Sequence, residues 1–216
     1  MRNFPTAPNV HGSTNTGVVG VILAGGQSLR MGQDKSQILW QGRSLLEWVT
    51  ERIAPQVDTL LISRAYGNPG TQDETPQQLA DSAPDLGPLG GIAAALRWLP
   101  DYNPAPAWLL SCSCDAPLLP RQLVQRLQAE AASSASDVVY ARCLGRAHYT
   151  HALWSSALLA PVEAYLAGGG RSLHGLLAQL NSRALDFDTA DGLDPFTNLN
   201  TPADLYRLPP GWTPTP

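Results

Sequence analysis

The sequence predicts an α/β fold, in which one domain has a three-layer αβα architecture around a mostly parallel, Rossmann-like sheet. Short, continuously apolar runs, typical of strands buried on both faces, alternate along the chain with segments of helical periodicity. The 216 residues, of which 44% are hydrophobic, are enough to build one sizeable core. Strands separated by helical patterns form βαβ units, so helices are expected on both faces of the sheet.

The chain up to about residue 130 supplies three predicted strands and three predicted helices. The strands are VVGVIL (18–23), TLLIS (59–63) and WLLSC (108–112). The helices are the segment before Pro55 with Leu45, Trp48, Val49 and Ile53 at helical spacing, IAAALRWL (92–99), and the segment opened by Pro120 with Leu123, Val124 and Leu127. A long polar loop, RAYGNPGTQDETPQQ (64–78), is expected after the second strand.

The second half continues the alternation. Strands are predicted at DVVYA (137–141) and ALDFD (184–188), with helices between them around 157–167 and 172–180. A last helix is expected at TPAD, where Thr201 suits the N-cap, Pro202 the first helical position and Asp204 the positive end of the helix dipole. The expected boundaries are a disordered N-terminal tail over 1–16, one domain over 17–208 and a C-terminal tail over 209–216.

The composition argues against several classes of function. The net charge is −4 and only 15% of residues are charged, so nothing attracts the whole chain to nucleic acid or to an anionic membrane. No apolar run approaches the roughly 20 residues that span a bilayer, and the N-terminus lacks the apolar region of a secretory signal. A cytoplasmic location is therefore expected. Cys112, Cys114 and Cys143 are expected to be buried free thiols; zinc binding by them together with His148 is the alternative, which the C-x-C spacing disfavours.

The segment LAGGQSLRMGQDK, from Leu23 to Lys35, carries the strongest chemical signal. A buried strand runs into Gly25 and Gly26, which let the backbone approach a ligand closely. Successive N–H groups in such a turn bind anions, and Arg30 and Lys35 add two cations that suit phosphate oxygens. The segment is neither a Walker A loop nor a dinucleotide fingerprint. It predicts a phosphate-binding loop rather than an ordinary glycine-rich turn with solvated cations.

A second chemical residue follows the third predicted strand. In an open α/β sheet, ligands bind outside the carboxyl ends of the strands, so functional residues are expected just after Leu23, Ser63 and Cys114. Asp115 occupies this place. Its carboxylate suits Mg²⁺, which binds one or two carboxylates together with phosphate oxygens and water. The alternative is a helix N-cap, because Pro117 and Pro120 precede a helical segment.

With these residues in place, the sequence resembles the molybdenum cofactor guanylyltransferases, the MobA family of the nucleotidyltransferase superfamily. The segment from Leu23 to Lys35 is similar to the family signature L-A-G-G-x-S-x-R-M-G-x-D-K. Three further motifs follow in the family's order. They are D-x(5)-G-P-L-x-G from Asp81 to Gly91, C-D-x-P from Cys114 to Pro117, and N-x-N-T-P from Asn198 to Pro202. The resemblance covers about residues 18–208 and implies a sheet of the nucleotidyltransferase type.

The resemblance also implies an activity and a set of residues. The activity is transfer of GMP from GTP to the terminal phosphate of molybdopterin, with release of pyrophosphate and with Mg²⁺ as cofactor. Arg30, Lys35 and Asp115 would be catalytic, and Asp115 would also hold the metal. The nucleotide would be bound by Leu23, Ala24, Gly25, Gly26, Lys35, Ser63, Asp81, Gly87 and Asp115. The acceptor would contact His151, Asn198 and Asn200; a structural histidine and ordinary loop amides are the alternatives.

Several alternatives stay open. Gly25 stands where the resembling cytidylyltransferases usually have alanine, and the missing methyl either leaves space for a purine or frees backbone donors, so GTP is expected. Ser63 replaces an asparagine that is common in the family, and Asp81 could lie in a plain surface turn. A cytidylyltransferase acting on molybdopterin or on a sugar or polyol phosphate is one other function, and a non-catalytic carrier of molybdopterin or nucleotide is another. Because the cofactor is labile, partner proteins of its biosynthesis or a recipient molybdoenzyme are expected.

Overall fold

A computed structural model describes residues 16–25, 38–65, 76–81, 83–101, 107–199 and 204 of the chain. The predicted C-terminal tail and the helix expected from Thr201 lie outside these residues, apart from Asp204. Most of the predicted N-terminal tail also lies outside them. At its end, the backbone N–H of Thr16 donates to the carboxylate of Asp58 at 2.7 Å.

Nine strands and five α-helices alternate through the described residues. The strands are β1 (Val18–Leu23), β2 (Leu39–Trp40), β3 (Arg43–Ser44), β4 (Thr59–Arg64), β5 (Gln77–Ala80), β6 (Trp108–Ser113), β7 (Val138–Cys143), β8 (Arg146–Ser155) and β9 (Ser182–Phe187). The helices are α1 (Leu45–Ile53), α2 (Pro88–Trp98), α3 (Leu123–Ser134), α4 (Leu159–Ala167) and α5 (Leu173–Leu177). Strands β2 and β3 form a small hairpin, and the other seven form one sheet.

The main sheet has the strand order β5-β4-β1-β6-β8-β7-β9. Every neighbouring pair is parallel except the two that involve β8, which runs antiparallel to both β6 and β7. One hydrophobic cluster joins this sheet to α1 and α3, and a second joins its opposite face to α2, α4 and α5. The predicted three-layer architecture with a mostly parallel sheet is therefore confirmed.

Helix α1 shows how the local sequence sets these elements. Ser44 is its N-cap, and its side chain accepts a hydrogen bond from the backbone N–H of Glu47. The Glu47 carboxylate in turn accepts the N–H of Ser44 at 2.7 Å, which completes a capping box. The buried side chains Trp48, Val49 and Ile53 lie on the face that the helical spacing predicted.

Four strands were not predicted: β2 and β3 of the small hairpin, and β5 and β8 of the main sheet. Strand β5 lies at the end of the segment expected to be a polar loop, since its sequence, QQLA, has no apolar run and its residues are only half-buried at the edge of the sheet. Strand β8 has the sequence RAHYTHALWS, whose polar first half hides the strand periodicity. Helix α2 also begins earlier than predicted, at Pro88, because proline suits the first helical position. Helix α5 is shorter than the predicted 172–180 and ends at Leu177.

The three cysteines are buried free thiols, as predicted. Burial raises the pKa of the Cys112 thiol, which keeps it protonated and unreactive near neutral pH. Within the described ranges, no group of three or more His, Cys, Asp or Glu side chains is arranged to hold a metal ion. Among the same residues, no helix is long and apolar enough to cross a membrane.

Candidate active site

Three adjacent parallel strands end at the same level of the sheet. Leu23, the last residue of β1, pairs with Ser63 of β4 on one side and with Ser113 of β6 on the other. The pairing continues beyond the ends of the strands. The N–H of Ala24 donates to the carbonyl of Ser63 at 2.9 Å, and the N–H of Cys114 donates to the carbonyl of Leu23. The predicted clustering of residues at this carboxyl edge therefore holds for the described residues.

The backbone at Gly25 lies against the end of the neighbouring strand. A β-carbon placed on Gly25 would lie 3.0 Å from the backbone nitrogen of Ala65 and 3.3 Å from the carbonyl carbon of Arg64. Glycine at this position therefore lets the turn after β1 pack closely on the chain that leaves β4. This finding changes the interpretation of Gly25, since the space of the missing methyl borders the protein's own backbone.

Ser63 and Asp81, which are 18 positions apart in the sequence, are hydrogen-bonded to each other. The Ser63 hydroxyl is buried and donates to Oδ1 of Asp81 at 3.1 Å. The N–H of Asp81 also donates to the carbonyl of Arg64 at 3.1 Å, which fixes the backbone after β5. Burial raises the pKa of the Asp81 carboxyl, and the hydrogen bond from Ser63 opposes that rise.

The amino end of α2 packs directly on this pair. A β-carbon on Gly91 would lie 2.7 Å from Cδ2 of Leu23 and 2.8 Å from Cβ of Ser63, and one on Gly90 would lie 2.8 Å from Oδ2 of Asp81. Gly87 precedes the helix with φ of +59°, a conformation that favours glycine. The helix therefore begins beside both side chains, and its positive dipole end lies at the same edge of the sheet.

Replacing Asp81 by asparagine is expected to stabilise the protein at neutral pH. A carboxyl whose pKa is raised on folding costs stability as the pH rises through that raised pKa, and asparagine cannot ionise. The difference in melting temperature between Asp81→Asn and the wild type should therefore be largest near neutral pH. It should disappear as the pH falls below the ordinary pKa of a carboxyl group.

Thermal unfolding at several pH values measures this effect, with the exposed Asp137 as a control in an Asp137→Asn variant. A variant less stable than the wild type at neutral pH would show that the fold needs the Asp81 carboxylate. If Asp81 also contacts the nucleotide, the stabilised variant should gain less melting temperature from added GTP than the wild type does.

Asp115 lies two residues beyond the end of β6 and is 5% exposed. Its carboxylate accepts a hydrogen bond from the Ser113 hydroxyl, and its backbone carbonyl accepts one from the N–H of Leu199 at 2.8 Å. Helix α3 begins at Leu123 with Gln122 at its N-cap, so Asp115 does not cap that helix. The N-cap alternative is therefore wrong, and the Asp115 carboxylate lies at the edge of the sheet where phosphates are expected.

This carboxylate fits the chemistry of Mg²⁺. The cation prefers oxygen ligands, and in phosphate sites it takes one or two carboxylates while the substrate and water supply the rest. The Ser113 hydroxyl donates a hydrogen bond to this carboxylate, and a supporting hydrogen bond of this kind orients a side chain that binds a metal.

The predicted acceptor residues occupy two different environments. His151 on β8 is fully buried, and among the described residues neither ring nitrogen has a hydrogen-bond partner. Burial, followed by the neighbouring His148, lowers the pKa of His151 to about 3. Asn198 is half-buried and directly precedes Leu199, whose N–H binds Asp115. The remaining predicted site residues, Gly26, Arg30, Lys35 and Asn200, lie outside the described residues.

Sequence reasoning missed several residues at this edge. Ser113 directly precedes the C-D-x-P motif and Gly90 is the variable position of D-x(5)-G-P-L-x-G, where the two adjacent glycines at 90 and 91 were a visible signal of close packing. Asp194 and Phe196 precede Asn198 and contact β8, as described below, yet no local pattern marks them as part of the site.

Comparisons with known proteins agree with this geometry. The family model described as the MobA-like NTP transferase domain matches residues 20–184. A protein of Rhodobacter capsulatus named molybdenum cofactor guanylyltransferase is 40% identical over 192 residues, which are 88% of this chain and 94% of that protein. A protein of the same name from Rhizobium meliloti is 37% identical, over 90% of this chain and 91% of its own length.

A solved structure is similar in fold. It is molybdopterin-guanine dinucleotide biosynthesis protein A from Archaeoglobus fulgidus, with a TM-score of 0.68 and 23% identity, and the match covers 88% of this chain and 95% of that one. The structure of 2-C-methyl-D-erythritol 4-phosphate cytidylyltransferase from Thermus thermophilus has a TM-score of 0.59 and 15% identity, and the match covers 87% of this chain and 95% of that one.

Proposed function

Because this chain belongs to the MobA-like NTP transferase domain family, we propose that it is a molybdenum cofactor guanylyltransferase. It would transfer GMP from GTP to the terminal phosphate of molybdopterin and release pyrophosphate. The observation that carries the proposal is the convergence at one sheet edge of the turn after β1, the bonded pair Ser63 and Asp81, the amino end of α2 and the carboxylate of Asp115. The names of the similar proteins support the choice of substrates.

The reaction needs positioning and charge stabilisation more than proton transfer. An oxygen of the molybdopterin phosphate attacks the α-phosphorus of GTP, and the bond from that phosphorus to the bridging oxygen of the β-phosphate breaks. A phosphate monoester is already ionised near neutral pH, so no general base is required. We propose that Arg30, Lys35 and the amides of the turn at Ala24 to Gly26 bind the β- and γ-phosphates. Ser63, Asp81 and Gly87 would bind the nucleoside.

Asp115 is the residue proposed to hold Mg²⁺. The cation would neutralise charge on the α-phosphate and on the leaving pyrophosphate. The Ser113 hydroxyl fixes the carboxylate in its orientation, and the Leu199 N–H holds the backbone of Asp115 in place.

The other proposals concern the domain boundaries, the cellular location and the partner proteins. We propose a catalytic domain over 17–208 and a reducing cytoplasm, in which three buried thiols remain free. Because the cofactor is labile, we also propose transfer of the product to partner proteins, either of cofactor biosynthesis or recipient molybdoenzymes.

Nucleotide selection tests the proposal most directly. With Mg²⁺ present, GTP at about 100 times its Kd should raise the melting temperature by roughly 5–10 °C, because a ligand that binds only the folded state stabilises it. CTP at the same concentration should raise it much less. With GTP, Mg²⁺ and molybdopterin, the protein should form a guanine dinucleotide and equal amounts of pyrophosphate.

The outcomes separate the alternatives. Preference for CTP would indicate a cytidylyltransferase, and nucleotide binding without release of pyrophosphate would indicate a carrier. A Lys35→Ala variant serves as the control that links turnover to the glycine-rich loop, and it should lose turnover while it keeps the wild-type circular dichroism spectrum.

A further inference from the structure

Strand β8 contains an irregularity beside the candidate active site. Tyr140 of β7 pairs with Ala152, but the next residue, Ala141, pairs with His148, so three residues of β8 have no partner on β7. Residues three apart in a regular strand point to opposite faces of the sheet. Here the bulge brings His148 and His151 together, with ring centroids 6.2 Å apart.

The neighbouring strand holds this bulge in place. The buried hydroxyl of Ser111 on β6 donates to the carbonyl of Thr150 at 2.9 Å, in the middle of the irregular stretch. The same hydroxyl oxygen accepts the indole N–H of Trp154 at 2.9 Å. The orientation of the two histidines therefore depends on β6, the strand that leads to Asp115.

Asp194 connects the bulge to the segment that follows β9. Its Oδ2 lies 2.8 Å from Nε2 of His148, and its Oδ1 accepts the N–H of Phe196 at 2.9 Å. Its backbone carbonyl accepts the N–H of Thr197 at 3.1 Å. One residue therefore both shapes the turn at 194–197 and ties it to β8.

The contact between His148 and Asp194 is a hydrogen bond from a neutral imidazole. Burial lowers the pKa of His148, although the nearby Asp194 carboxylate acts in the opposite direction. A carboxylate can only accept, so Nε2 of His148 carries the proton and donates it. The neutral rings suit the apolar contact with Phe196, whose centroid lies 5.2 Å from His148 and 5.4 Å from His151.

The other end of the segment is fixed at Asp115. The N–H of Leu199 donates to the Asp115 carbonyl at 2.8 Å. The Leu199 side chain is buried in a cluster with Trp40, Leu45, Trp48 and Leu118. The segment 194–199 is thus held at both ends, and Asn198 lies next to the bond at Asp115.

We propose that Asp194 is a positioning residue for the acceptor. Through His148 and Phe196 it fixes the segment that presents Asn198 beside Asp115, and His151 contributes by packing against Phe196. This inference rests on the proposed guanylyltransferase function. The family resemblance assigns Asn198 to the acceptor, and the contacts of Asp194 add the residue that holds its segment in place.

The test is the Asp194→Ala variant, assayed by steady-state kinetics with GTP and molybdopterin. Loss of hydrogen bonds to a charged group should raise the KM for molybdopterin roughly tenfold or more. The KM for GTP and the rise in melting temperature that GTP causes should stay within about twofold of the wild type, because the turn after β1, Ser63, Asp81 and the amino end of α2 belong to other elements, and the bond from Leu199 involves only the backbone of Asp115. A general loss of structure would instead raise the KM values for both substrates together.

Two further variants make the test specific. Asp194→Asn keeps an oxygen for the Phe196 N–H, and its amide can donate to His148 in the other tautomer, so it should recover most of the acceptor binding. His148→Phe keeps a ring beside Phe196 but cannot donate a hydrogen bond to Asp194. It should therefore also raise the KM for molybdopterin and leave the KM for GTP unchanged, and it replaces Asp194→Ala in the test if that variant does not fold. Asp188→Ala removes an exposed carboxylate nearby and should behave as the wild type.

The results distinguish this inference from the proposed function. An active wild type with unchanged KM for molybdopterin in Asp194→Ala and His148→Phe overturns the inference alone. An equal rise in both KM values also overturns it. A wild type that forms no dinucleotide from GTP and molybdopterin overturns the inference together with the proposed function.

Discussion

Asparagine in place of Asp115 is expected to lower the rate of nucleotidyl transfer by about a thousandfold, because the phosphates would lose their charged metal ligand. The amide has nearly the same shape and still offers an oxygen to the Ser113 hydroxyl, so the local hydrogen bond should survive. The bond from Leu199 involves only the backbone of Asp115 and is unaffected. Pyrophosphate release with GTP, Mg²⁺ and molybdopterin measures the rate, and thermal unfolding without ligand reports the fold.

A second measurement ties the loss to the metal. In the wild type, Mg²⁺ should increase the stabilisation by GTP, and Asp115→Asn should lose the part of the stabilisation that depends on Mg²⁺. Asp137→Asn is the matched control, because it removes an exposed carboxylate that precedes β7, at the opposite edge of the sheet. Turnover within about tenfold of the wild type would exclude Asp115 from metal binding.

The sequence predicted the part of the fold that depends on local pattern. Strands β1, β4 and β6 each contain a short run of apolar residues buried on both faces, so each could be predicted from its own residues. Parallel strands of one sheet have their carboxyl ends at the same edge, so the prediction of a mostly parallel sheet was enough to bring Leu23, Ser63 and Asp115 to that edge.

Contacts between distant residues could not be predicted in this way. Strand β8 pairs with β6 through its apolar second half, residues 152–155, and with β7 on both sides of the bulge, which is bonded to the hydroxyl of Ser111. The partners Ser63 and Asp81 are 18 positions apart, and His148 and Asp194 are 46 apart. No local periodicity encodes such pairs, since side-chain orientation at these sites is set by tertiary packing.

Gly25 shows a limit of a different kind. Its motif correctly identified the turn after β1. The physical role of the missing methyl, however, depends on which atoms of the folded protein lie next to that position. Because Arg64 and Ala65 lie within 3.3 Å of that position, the absence of a side chain serves the packing of the turn on β4. Selection between GTP and CTP is therefore tested directly with the two nucleotides.

Alanine at Gly91 is expected to lower both the stability of the protein and its affinity for GTP. The added methyl would overlap Ser63 and lie 2.7 Å from Cδ2 of Leu23, so the first turn of α2 must move away from β1 and β4. Overpacking of this kind costs about 1–3 kcal/mol of unfolding free energy. The melting temperature should fall by roughly 2–4 °C for each kcal/mol in a chain of this size. Stabilisation by GTP should also fall, because Ser63 and Asp81 would separate from the helix.

Two comparisons isolate this cause from a general effect of alanine. Gly168→Ala places a methyl 3.5 Å from the carbonyl oxygens of Ala164 and Tyr165, an ordinary contact, at a residue with φ of −72°. That variant should be as stable as the wild type or slightly more so, because alanine restricts the unfolded chain. Adding Ser63→Ala to Gly91→Ala removes the nearest clashing atom, so the double variant should lose less stability than the two single changes together. Strict additivity would show that the close packing of α2 on Ser63 does not hold this edge of the site together.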